Sequence, residues 1–86
     1  MNRDLDLLRT ILAGRSDANI RFHDLRILLL GLGFTERTRS SHHIFRREGI
    51  PDLINLQRDG SHAKAYQVRQ VRRILLRYNL VGDDDA

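Results

Sequence analysis

The chain has 86 residues, 41% of them hydrophobic and 30% charged, with a formal net charge of +4. That is the size of one domain with a small core, burying about 60% of its unfolded surface. With no cysteine and no apolar run longer than residues 27–30, it excludes a disulfide scaffold, a thiol nucleophile, a thiolate metal site and a membrane-spanning helix.

Leu5, Leu8 and Leu12, joined by Leu7 and Ile11, recur at helical spacing and predict a first helix over residues 3–13. Gly14 stands where a glycine ends a helix. Residues 15–20 read as a polar link. Phe22, Leu25, Leu29 and Leu32 predict a second helix over residues 22–31. Ile27, Leu28 and Leu30 make it apolar on nearly all sides, so it must be covered twice, the second time by the first helix.

From Phe34 the period changes. Residues 34–40 lack a helical stripe, and residues 42–47 hold Ile44 and Phe45, which favour strands. Glu48, Gly49, Ile50 and Pro51 read as a turn, residues 53–57 as a third strand, and residues 58–61 as a loop. The last helix is expected from about Ala65 to Tyr78, burying Val68, Val71, Leu75 and Tyr78. Strands joined by such short links must be antiparallel. The expected class is therefore α+β, a three-stranded antiparallel sheet packed on helices. One domain over residues 1–82 would divide into an additional helix at 3–13 and a core at 22–80, followed by an acidic disordered tail at 83–86.

The charge is unevenly placed. Residues 34–82 carry ten basic and four acidic side chains, and Lys64 is the single lysine among the chain's 15 cations. Arginine offers a planar fork that matches phosphate oxygens and stacks on bases, so RNA or DNA is the first partner class to consider. The charged N-terminus has no apolar segment behind it, so a cytoplasmic protein is expected.

Four histidines are candidates for chemistry: His23, His42, His43 and His62. His23 falls in a helix's first turn and His62 in a loop, and both read as surface residues. His42 and His43 are strand neighbours and must point to opposite faces. If Phe45 is core, His43 lies toward the helices, and His42 lies on the open face with Ile44 and Arg46. An imidazole there suits proton transfer near neutral pH. Because the two cannot share an ion, and no other ligand cluster is visible, no metal and no cofactor are expected.

The segment Ser-Ser-His-His-Ile-Phe at residues 40–45 follows Leu-Gly-Phe at 32–34 and precedes Asn-Leu-Gln at 55–57 and Ala-Lys-Ala-Tyr-Gln-Val-Arg-Gln-Val-Arg at 63–72. That series resembles the HicA family, the toxin half of HicA–HicB toxin–antitoxin modules, over roughly residues 20–80. The resemblance implies a core like a double-stranded-RNA-binding domain, α-β-β-β-α, and metal-independent cleavage of mRNA. It also implies a HicB-type antitoxin as partner, which is expected to cover His42 and part of the basic face because that would both block RNA and neutralise charge. The family's catalytic histidine falls on His42 and its motif serine on Ser41. Ser40 replaces the motif glycine, which is expected to narrow the approach of RNA and lower activity. Ala65 stands where relatives often have proline.

On this reading His42 is the general base or acid, and Arg46, Lys64, Arg69 and Arg73 hold phosphates. The alternatives are a non-catalytic RNA-binding module of the same fold, or a basic surface that docks an acidic protein.

Overall fold

The computed structural model describes residues 3–80. Three helices, α1 (Arg3–Ala13), α2 (Phe22–Gly31) and α3 (Ala65–Arg77), accompany five strands. β1 (Thr35–Arg39), β2 (His42–Arg47) and β3 (Ile50–Leu56) form an antiparallel sheet in that order. β4 (Arg58–Asp59) and β5 (His62–Ala63) form a separate two-stranded hairpin. The α+β class and all three expected helices are present. The acidic tail expected at 83–86 lies outside the described residues.

The helices end for local reasons. Gly14 takes φ +73°, and its N–H bonds back to the carbonyls of Thr10 and Ile11. Glycine reaches that left-handed backbone without a steric cost. The link that follows is tied down by Arg72 of α3. Its guanidinium donates to both Asp17 oxygens, at 2.9 and 3.1 Å, and to the Ile11 carbonyl at 3.0 Å. Those bonds hold the Asp17 carboxyl below its ordinary range against the opposing effect of burial.

One core joins both layers. Phe22, Leu25 and Leu29 of α2 and Val68, Val71 and Leu75 of α3 pack with Phe45, Ile54 and Leu56 of the sheet, all fully buried. Leu8 and Ile11 of α1 complete it, giving α2 the second cover that its apolar composition required. Each such side chain contributes about 1.5–3 kcal/mol on leaving water. The described helices all lie on the Phe45 side, so among the described residues the opposite face of the sheet carries no helix.

Four expectations need correction. Leu5, read as one helix face with Leu8 and Leu12, is 41% exposed; α1 contributes buried Leu8 and Ile11 to the core, with Leu7 and Leu12 packed partly against it. Ile50 and Pro51, read as turn, open β3. Proline is tolerated there because β3 is an edge strand and one row of its backbone groups faces no partner. The third strand ends at Leu56 rather than Gln57. The loop at 58–61 is instead the β4 strand and its turn into β5, and Phe22 and Ala63 donate backbone bonds that latch this hairpin to the start of α2.

Candidate nucleic-acid interface and His42

The site is built by a two-residue hairpin loop. β1 ends at Arg39 and β2 begins at His42, so Ser40 and Ser41 alone make the connection and Arg39 pairs directly with His42. Ser40 has φ +57°, a left-handed conformation that glycine takes freely and serine does not. That is a backbone reason for glycine to be preferred at this point of the chain. Ser41 is exposed beside it.

Strand alternation then sorts the side chains. Phe45 is fully buried and pairs with Ile54. His42, three residues earlier, is therefore on the open face, half-buried rather than enclosed. Its Nδ1 lies 3.2 Å from Oδ1 of Asn55 on β3. An amide oxygen only accepts, so this bond places the ring proton on Nδ1. Nε2 is then the basic nitrogen, with its lone pair free of this bond.

Arginines surround the ring on the same face. Arg39 stands opposite His42, and Arg37 opposite Ile44. Arg46, exposed, stands opposite Thr35. Among the described residues, no carboxylate pairs with Arg37, Arg39 or Arg46. Their charge is thus uncompensated on the side that carries His42.

His43 faces the other way, as expected from alternation. Its ring meets Phe22 edge-on at 4.8 Å, and its Nδ1 lies 2.7 Å from Glu36 Oε2. Arg26 Nε donates to the other carboxylate oxygen at 2.7 Å. Burial by itself pushes the Glu36 carboxyl up, but the bonds from His43 and Arg26 outweigh it and hold the group below its ordinary value. This cluster ties α2, β1 and β2 together. His23 is exposed, and His62 sits in β5 with its Nδ1 3.4 Å from Ser61 Oγ.

The expected phosphate-holding residues do not all converge. Arg46 shares the face of His42. Lys64 precedes the first turn of α3. That turn is anchored at the His42 end of the sheet by Gln67, the buried polar residue of the core, whose Oε1 accepts the Gln57 backbone N–H at 2.7 Å. Arg69 and Arg73 are exposed on α3, which packs on the opposite side of the sheet. They form a second basic patch rather than part of the His42 surround. Among the described residues, no group of three or more His, Asp or Glu side chains is arranged to hold a metal ion, and no helix is long and apolar enough to cross a membrane.

Arg37, Arg39 and Asn55 were missed by reasoning from sequence. The signal for Arg39 was available: a two-residue loop pairs the residues on either side of it. Asn55 carried no such signal, because it depends on the β2–β3 register, which shifts between Phe45 and Arg47. No protein-family model, curated protein or solved structure matches this chain.

Proposed function

We propose that the chain is a metal-independent endoribonuclease, the toxin half of a HicA–HicB type module, acting on mRNA in the cytoplasm. The core would be that of a double-stranded-RNA-binding domain, with α1 and the β4–β5 hairpin as additions. The observation that carries the reading is the bond from His42 Nδ1 to Asn55, which leaves Nε2 as a base beside Arg39, itself paired with no carboxylate among the described residues.

RNA brings its own nucleophile. His42 Nε2 takes the proton of a 2′-hydroxyl, and that oxygen forms a bond to the adjacent phosphorus. The bond from phosphorus to the 5′ oxygen breaks, and water supplies the proton this oxygen needs. The products are a 2′,3′-cyclic phosphate and a 5′-hydroxyl. A positioned base of this kind contributes about 10²–10⁴-fold. Arg39 and Arg46 stand where they offset charge growing on the phosphate, while Lys64, Arg69 and Arg73 would hold more distant phosphates of a long transcript. DNA lacks the 2′-hydroxyl and is not a substrate. A HicB-type antitoxin would inhibit by covering His42 and its arginines.

The test is His42→Ala against the unaltered chain, with a defined RNA in EDTA. Cleavage by the unaltered chain and its loss in the variant support the reading. Intact RNA with a salt-sensitive gel shift favours a non-catalytic RNA-binding module instead, and cleavage that persists in the variant removes His42 from the mechanism.

A further inference from the structure

The open face of the sheet carries more than the His42 surround. Ile44 on β2 and Leu53 on the edge strand β3, the latter 49% exposed, share that face with the cations of β1 and β2. With Thr35, Arg37, Arg39 and Arg46 they line an open depression of about 490 Å³, within the range of ligand-binding clefts. A second depression of about 780 Å³ adjoins it. The two share Thr35, Arg46 and Leu53, so together they form one groove that runs along β2 away from His42.

From this groove we infer that the substrate is single-stranded RNA, with an unpaired base laid on Ile44 and Leu53 beside the phosphate at His42. The inference rests on the ribonuclease reading above and assigns its substrate class. His42, Ile44 and Arg46 are successive residues on one face of β2, each about 6.7 Å from the next. A phosphate at His42 puts the neighbouring base over Ile44 and a further phosphate within reach of Arg46. Arg37 and Arg39 of the adjacent strand β1, paired with no carboxylate among the described residues, supply the complementary charge along the same path. The apolar floor selects against a duplex, whose bases are stacked on one another and would leave Ile44 and Leu53 uncovered.

The experiment uses short 2′-O-methyl RNA, which cannot supply the nucleophile, and reads affinity by fluorescence anisotropy on the full chain. The single strand binds about tenfold more tightly than the same sequence annealed as a duplex, and about tenfold more tightly than an abasic strand with the same phosphates. Leu53→Gln, with its fold checked by circular dichroism, lowers single-strand affinity and leaves abasic-strand affinity unchanged. Equal or tighter duplex binding, equal binding of the abasic strand, or an unaltered Leu53→Gln protein each overturns the inference. So does a dimer or a protein complex that occupies the groove while RNA binding stays the same. A parallel arm with unmodified RNA separates the two claims. RNA left intact despite single-strand preference removes the ribonuclease reading alone, and RNA that is cut without that preference removes the groove alone.

Discussion

Arg39 and His42 face each other across the mouth of the β1–β2 hairpin, held there by a loop of two residues. On the proposed ribonuclease reading, the pairing separates cations placed to act at the reacting phosphate from those placed only to bind RNA. Arg39→Ala should lower kcat by about tenfold to a hundredfold, since it removes charge next to the imidazole. Arg73→Ala should raise KM on long transcripts and leave kcat unchanged, because α3 packs on the other side of the sheet. Single-turnover cleavage measures both, and equal losses in kcat would place α3 at the reacting centre.

Asn55 acts on His42 through one bond, so its effect should depend on that bond alone. Asn55→Leu removes the acceptor for Nδ1–H and should lower kcat about tenfold. Asn55→Asp keeps an acceptor and should restore most of the rate. Its negative charge favours the protonated ring, so the acid limb of the rate profile moves to higher pH. A pH profile identical in both variants would contradict this role.

Ser40 holds a backbone conformation that costs a non-glycine residue about 1–2 kcal/mol. Ser40→Gly relieves that cost but gives the unfolded chain more freedom, leaving a net gain of about 0.5–1 kcal/mol. Ser41, whose φ is not positive, provides the comparison: Ser41→Gly should lose about 0.5–1 kcal/mol. Urea midpoints for the two variants should move in opposite directions. Ser40→Gly should also raise the cleavage rate if the serine side chain narrows the approach of RNA.

Glu36 makes stability depend on acid. Its carboxyl is held lower in the folded chain than in the unfolded one, so the unfolded state takes up the proton first as pH falls. The stabilisation is complete above the ordinary carboxyl range and disappears as pH drops through the folded value. Glu36→Gln should cost about 1–3 kcal/mol at pH 7 through weaker bonds to Arg26 and His43. The variant and the parent should converge toward pH 3. Denaturation from pH 7 down to pH 3 tests this, and a constant difference would assign the effect to packing instead. Asp17, held down by Arg72, titrates in the same direction in both proteins, so it leaves the comparison intact.

Gln67 is a polar residue at 3% exposure in a helix face otherwise buried as valine, isoleucine and leucine. Gln67→Leu adds apolar area and a better helix former, yet it should destabilise by about 1–3 kcal/mol. The reason is that the Gln57 N–H loses its acceptor at the end of β3. A neutral or stabilising result in urea would show that this N–H finds water instead.

Periodicity and chemistry along the chain determined much of this protein. The leucine spacing marked α1 and α2, the valines at 68 and 71 marked α3, and alternation from Phe45 put His42 and His43 on opposite faces. These follow from local geometry, because helix and strand repeats depend only on neighbours within a turn or two. The sequence could not set which distant segments meet. The β2–β3 register brings Asn55 to His42, and the packing of α3 on the Phe45 side removes Arg69 and Arg73 from the face that carries His42. The exposure of Leu5 and the ion cluster of Arg26, Glu36 and His43 likewise depend on how elements dock. Burial of a shared core decides all of these, and it is a property of the assembled chain rather than of any stretch of it.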